Sequence, residues 1–113
     1  MAIAVASTRE ALVVAYTNLG VYLSMHTADP TTTGANEATG GGYVRKATTW
    51  VLGASDGIAT GSQVTFDLAA GTYTHVGFQS AATAGTFLDK ATMTSTTLGA
   101  VGQILITPTV TVT

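Results

Sequence analysis

The chain has 113 residues, 46% of them apolar and only 9% charged, with a mean hydropathy of +0.39 and a formal net charge of −2. That length holds one domain with a single modest core, and that hydropathy excludes a disordered chain. The basic residues Arg9, Arg45, Lys46 and Lys90 form no tract beyond one adjacent pair, so phosphate-led nucleic-acid binding lacks its charge; with no cysteine, disulfides and thiolate metal sites are excluded too.

Solubility must therefore come from uncharged polar groups, and threonine supplies them at 23 positions, beside 13 glycines. A threonine hydroxyl serves the wet face of a strand, and it is far cheaper to desolvate than an ion. Such a surface suits partial coverage by other protein. The opening run MAIAVASTRE lacks the basic and apolar regions of a secretory signal, and no stretch reaches the roughly 18 apolar residues of a membrane span. The chain is expected to fold in the cytoplasm of the cell that makes it and to bind neither membrane nor nucleic acid.

Residues 1–6 read as an apolar arm, either docked on a neighbour or forming a short strand. Ser7-Thr8-Arg9-Glu10 has the S-x-x-E form of a capping box, and Leu12, Val13, Tyr16 and Leu19 follow at helical spacing. This predicts a helix over 7–19, closed by Gly20 in a left-handed conformation. From Val21 the period becomes two, with Val21, Leu23 and Met25 on one face and Tyr22, Ser24 and His26 on the other. Further alternating runs are Tyr43–Val51, Ser62–Leu68, Thr72–Gln79, Thr86–Met93, Gln103–Thr107 and Thr109–Thr113. Asp56-Gly57, Ala70-Gly71, Ala84-Gly85 and Leu98-Gly99 mark turns between them, and Pro108 marks an edge or bend. The expectation is a single, mainly β domain over 1–113, with residues 21–113 forming an antiparallel β-sandwich or a jelly-roll-like barrel behind one short N-terminal α-helix. The uncharged strand TVTVT needs a partner, inside the domain or in another copy.

The candidate chemistry is thin. Gly53-Ala54-Ser55-Asp56-Gly57 fits G-x-S-x-G, but that elbow works only between a strand and a helix, and strands follow here. His26 and His75 lack metal spacing and read as strand histidines, although adjacent strands could pair them. Asp29, Glu37 and Asp56 are the right residue type for calcium without its dense pattern, and Gly40-Gly41-Gly42 precedes no G-K-[ST] or helix. Trp50 reads as a core plug before it reads as a sugar platform. No cofactor, no metal and no enzymatic activity are expected.

Two segments, LSMHTADPTTTGANEATGGGYVRKATTW (23–50) and GTYTHVGFQSAATAGTFLDKATM (71–93), resemble small head-decoration and tail-fibre-like structural proteins of tailed bacteriophages. The likeness implies a virion protein with this sandwich. Within it, the small size and the lack of shaft repeats favour a capsid decoration protein that binds the major capsid protein lattice. The alternative is a tail-fibre or minor tail module that binds a host receptor or glycan. Candidate contacts are Met1, Ala2, Ile3 and Ala4 in the arm, and Asp29, Pro30, Asn36 and Glu37 in the loop Thr27–Gly42. A homotrimer or homodimer is expected, since closed symmetry removes open strand edges.

Overall fold

The computed structural model describes residues 2–54 and 56–113. Helix α1 runs Ala6–Thr17 and starts without the capping box. Val5 is the N-cap, extended at φ −91° and ψ 120°, and its carbonyl accepts from the Thr8 and Arg9 amides. Ser7 falls inside the first turn. Glu10 instead reaches out of the helix to accept from the amides of Gly53 (3.0 Å) and Gly57 (3.1 Å), docking α1 on a distant loop. The helix ends at Asn18, which is right-handed. Gly20 is needed for a different reason: a Cβ there would sit 2.5 Å from the Gln79 carbonyl oxygen, so only glycine lets the chain pass.

Nine strands follow: β1 Tyr22–His26, β2 Lys46–Ala47, β3 Trp50–Val51, β4 Ile58–Gly61, β5 Val64–Leu68, β6 Gly71–Gln79, β7 Phe87–Leu98, β8 Gly102–Ile106 and β9 Thr109–Thr111. They form antiparallel sheets ordered β2-β1-β6-β7, β3-β4-β9 and β5-β8. The architecture is that of a β-sandwich. The barrel alternative is not what forms, because among the described residues β7 has no strand on its outer edge and the sheets stay open.

One expected run, Tyr43–Val51, is split. Lys46–Ala47 pairs with β1, whereas Trp50–Val51 pairs with β4, so Thr48 and Thr49 form a corner where the chain changes sheets. Ser62 and Gln63 make a second corner between β4 and β5, and Thr107 and Pro108 a third between β8 and β9. The corners bond to one another. Buried Thr48 donates through Oγ1 to the Ser62 carbonyl (2.8 Å), the Thr49 amide donates to Ser62 Oγ (2.9 Å), and the Gly61 amide donates to the Pro108 carbonyl (2.8 Å). A Cβ on Gly61 would collide with both Thr48 and Pro108. Hydroxyls and a missing side chain thus let three strands switch layers at one place.

The core collects Leu23, Met25, Val64, Phe66, Leu68, Tyr73, Phe78 and Ile104, with β5 alternating in and out as its sequence requires. Tyr16 stacks on Phe78 with centroids 5.1 Å apart, and Trp50 meets the same ring edge-on at 6.0 Å. The indole N–H of Trp50 donates to the Gly20 carbonyl. Trp50 therefore packs against the core, partly buried, in keeping with the core reading of its sequence position. The C-terminal strand finds its partner within the domain, as β9 on β4. Edge strand β7 carries register shifts against β6 between Tyr73 and His75 and between Phe78 and Gln79, and such bulges discourage open edges from pairing at random.

Gly40, Gly41 and Gly42 all have positive φ (80°, 65° and 84°), which makes the tight return that the glycine run suggested. A Cβ at Gly41 would strike the Ala69 backbone, whereas one at Gly40 meets only the Ala69 Cβ at 3.8 Å. Gly40→Ala should cost about 1 kcal/mol for the left-handed conformation, and Gly41→Ala about 3 kcal/mol or more because the backbone must also move. Urea unfolding of both variants measures the difference.

Candidate functional site

Strand β1 is buried on both faces. Leu23 and Met25 enter the core, and Ser24 and His26, on the opposite face, are 0% exposed. What covers them is the loop Thr27–Gly42 together with Phe87, whose ring meets His26 edge-on at 6.0 Å. Gly77 on β6 makes the room, since a Cβ there would overlap Ser24 and lie 2.6 Å from His26 Nε2.

The buried polar groups are fully paired, and the pairing fixes the proton positions. The Ala35 carbonyl can only accept, so His26 Nδ1 carries the hydrogen and donates to it (2.8 Å). Nε2 is then the acceptor, and the Ser24 hydroxyl donates to it (2.8 Å), while Gln79 Nε2 donates to Ser24 Oγ (3.1 Å). His75 lies directly across the strand pair from His26 but bonds to Thr74 Oγ1 instead. The topology thus makes the histidines neighbours, and among the described residues they share no hydrogen bond.

The loop is held from its far side by Arg45. Its guanidinium grips Glu37 in a two-pronged pair (2.9 Å on each oxygen), and its Nη1 donates to the carbonyls of Ala81 (3.1 Å) and Ala84 (2.8 Å). Tyr43 adds a hydrogen bond to Glu37 (2.7 Å). One side chain therefore ties the Thr27–Gly42 loop to the hairpin loop Ser80–Thr86. Burial pushes the Glu37 carboxyl up, but the hydrogen bonds from Arg45 and Tyr43 outweigh it and hold the group below its ordinary value. Burial, then the bond to Glu37, raises the Tyr43 phenol.

The candidate loop contacts come together here, each with a place in the lock. Pro30 is buried, and its carbonyl accepts from the Gly34 and Ala35 amides. Asp29 accepts from the Thr31 amide (2.8 Å) and pairs with Lys90 (2.6 Å); the bond from Lys90 keeps its carboxyl below the usual range. Asn36, left-handed at φ 61°, donates to the Asp29 carbonyl (3.0 Å). On the outside of the loop lie Thr27, Ala28, Asp29, Thr31–Thr33, Ala35, Asn36, Thr39 and Gly40, and Asp29 is the one charged residue among them. The arm is elsewhere: Ala2 and Ala4 are exposed, Ile3 is partly covered with its carbonyl bonded by Arg9, and Met1 lies outside the described residues. Ser55 also lies outside them, within a connection that joins β3 to β4 and leads into no helix. Sequence reasoning gave no role to Ser24, Arg45 or Gln79, and weighed Tyr43 only as part of an aromatic platform with Trp50, Tyr22 and Tyr73. The signal for them was the long polar loop after LSMH, which needed a polar surface to lie on.

Two outcomes follow for stability. Burial lowers the pKa of His26, so the unfolded chain, titrating near 6.5, takes up protons first. His26 then contributes stability that is complete above about pH 6.5 and is lost as the pH falls from there toward the folded pKa. Urea midpoints measured from pH 7.5 to pH 5 should fall, and His26→Gln should flatten that slope. Arg45→Met leaves the Glu37 carboxylate with only the Tyr43 hydroxyl and takes the Arg45 donor from the carbonyls of Ala81 and Ala84; a loss of about 2–3 kcal/mol is expected. Protease nicking within Thr27–Gly42 should accompany it. Arg45→Lys should restore only part, since an ammonium cannot make the two-pronged pair.

No curated protein matches the chain. Residues 10–113 match the family model described as podophage GP4 fiber I protein gp80, so the chain belongs to that family and is a structural protein of the tailed-phage virion.

Proposed function

We propose that the protein is a non-enzymatic module of a phage fibre, which presents the locked loops Thr27–Gly42 and Ser80–Thr86 to a host receptor or glycan. The observation that carries this reading is the family match over nearly the whole chain, which favours the tail-fibre alternative over capsid decoration. The loop lock supports it in physical terms. A binding loop that is ordered before contact loses little entropy on binding, and Arg45, His26 and Pro30 order this one in advance. The exposed tip offers the hydroxyls of Thr31–Thr33 beside the Asp29–Lys90 ion pair, whose charges offset each other, a chemistry that suits neutral hydroxyl-rich ligands.

The fibre reading includes self-association as a trimer or dimer. Binding of the major capsid protein lattice, the other expectation, rests on the small size of the chain, the lack of shaft repeats and the weakly charged threonine surface.

Particle composition and adsorption test the proposal together. Quantitative mass spectrometry of purified particles should give a low copy number, and a labelled antibody should mark the tail end. A decoration protein would be as abundant as the shell lattice it covers. Purified protein should slow adsorption of the parent phage, and Thr32→Arg should abolish that competition with the fold intact. Shell-wide labelling with no competition would overturn the proposal.

A further inference from the structure

The sandwich is open on the side next to α1. A groove of about 430 Å³ runs between β7 and the segment Ile106–Thr111, with Leu23, Trp50, Val76 and Phe78 among its lining residues. Tyr16 of α1 and Met93 of β7 also line it. Its two charged residues are already engaged, Asp89 by the Tyr16 hydroxyl (2.6 Å) and Lys90 by Asp29. The groove is therefore an apolar slot beside a strand whose outer edge has no partner strand among the described residues.

The arm Ala2–Val5 has the complementary deficit. It is uncharged, its Val5 is extended and 57% exposed, and it belongs to no strand. Arg9 bonds to the Ile3 carbonyl and holds the arm against the first turn of its own helix, and no arm residue lines its own groove. Beside the arm, Val5 at the N-cap, Leu12 within the helix and Leu19 just past its end remain 57%, 45% and 54% exposed. The charged residues of the helix, Arg9 and Glu10, both bond within the chain, so the helix presents no unengaged charge.

We infer that the groove receives the arm Ala2–Val5 of a second copy of this chain. The inference rests on the self-association proposed above and names its interface. Four extended residues span about 13 Å, the scale of the groove wall Asp89–Met93. The unpaired arm backbone and the unpaired β7 edge supply each other's hydrogen bonds, and Ile3 and Val5 lie on an apolar floor. A charged peptide would have to be desolvated there without compensation. Each copy carries one arm and one groove, so exchange among copies closes symmetrically, and the neighbouring helix covers Leu12 and Leu19.

The absence of cysteine makes the test clean. Single variants Ile3→Cys and Met93→Cys are mixed, co-refolded and mildly oxidised, with Val101→Cys replacing Met93→Cys as the control. An Ile3–Met93 heterodimer should form at least about tenfold above the control, as a held arm has a high effective concentration. Ile3→Asp should shift light-scattering mass to the monomer, with the circular dichroism of the folded chain unchanged and a thermal melt that no longer depends on concentration. Self-association without that cross-link would overturn the arm exchange and leave the fibre proposal standing. A disulfide formed only inside a monomeric double variant would assign the arm to its own groove and overturn it too. A monomer at all concentrations with no cross-link would overturn both the exchange and the self-association.

Discussion

Everything on the loop side of this protein depends on one constraint: β1, an inner strand of its sheet, is covered on both faces. One face is covered by the core and needs only apolar side chains. The other is covered by a polar loop, so every hydrogen-bonding group beneath that loop must find a partner or cost about 1–3 kcal/mol. Ser24, His26 and Gln79 meet the demand among themselves and with the Ala35 carbonyl, and no buried side-chain polar atom among the described residues is left over. Because the histidine must stay neutral to fit, the loop carries a built-in preference for neutral over acidic surroundings.

The other organising feature is the junction where Thr48, Gly61, Ser62 and Pro108 meet. Strands that cross between layers lose their ladder bonds at the crossing, and something must replace them. Here a threonine hydroxyl, a serine hydroxyl and a proline carbonyl do so, which gives the abundance of small hydroxyl residues a structural purpose beyond solubility. The same junction keeps β2, β4 and β8 short, since none can continue past its corner.

How far the sequence could be read follows from what each signal measures. Alternation and turn residues marked the strands and the sandwich, because inward and outward positions in β5 differ in burial as their side chains do. The same alternation could not reveal the corners, because Thr48 and Ser62 fit a strand as well as a bend. Nor could it show that Ser24 and His26 are buried, since a polar residue on a covered face looks identical to one in water. The capping-box pattern misled because Glu10 had a better offer from the Gly53 and Gly57 amides, far away in sequence. Pro30 and the glycine run marked the loop correctly, whereas the role of Arg45 needed the hairpin loop that only the fold brings near.

The distance along the chain between the members of the loop lock has a consequence for synthesis. Ser24 and Gln79 are 55 residues apart, so the polar face of β1 stays unpaired until β6 has been made and docked. Strand β4 likewise waits for β9. Contacts of such high sequence separation form slowly, and until they form, several uncharged strands are bare. The low charge that eases burial in an assembly thus becomes a burden on the ribosome. Damage to the lock will therefore show first as loss of soluble protein, before any defect in the folded molecules can be seen.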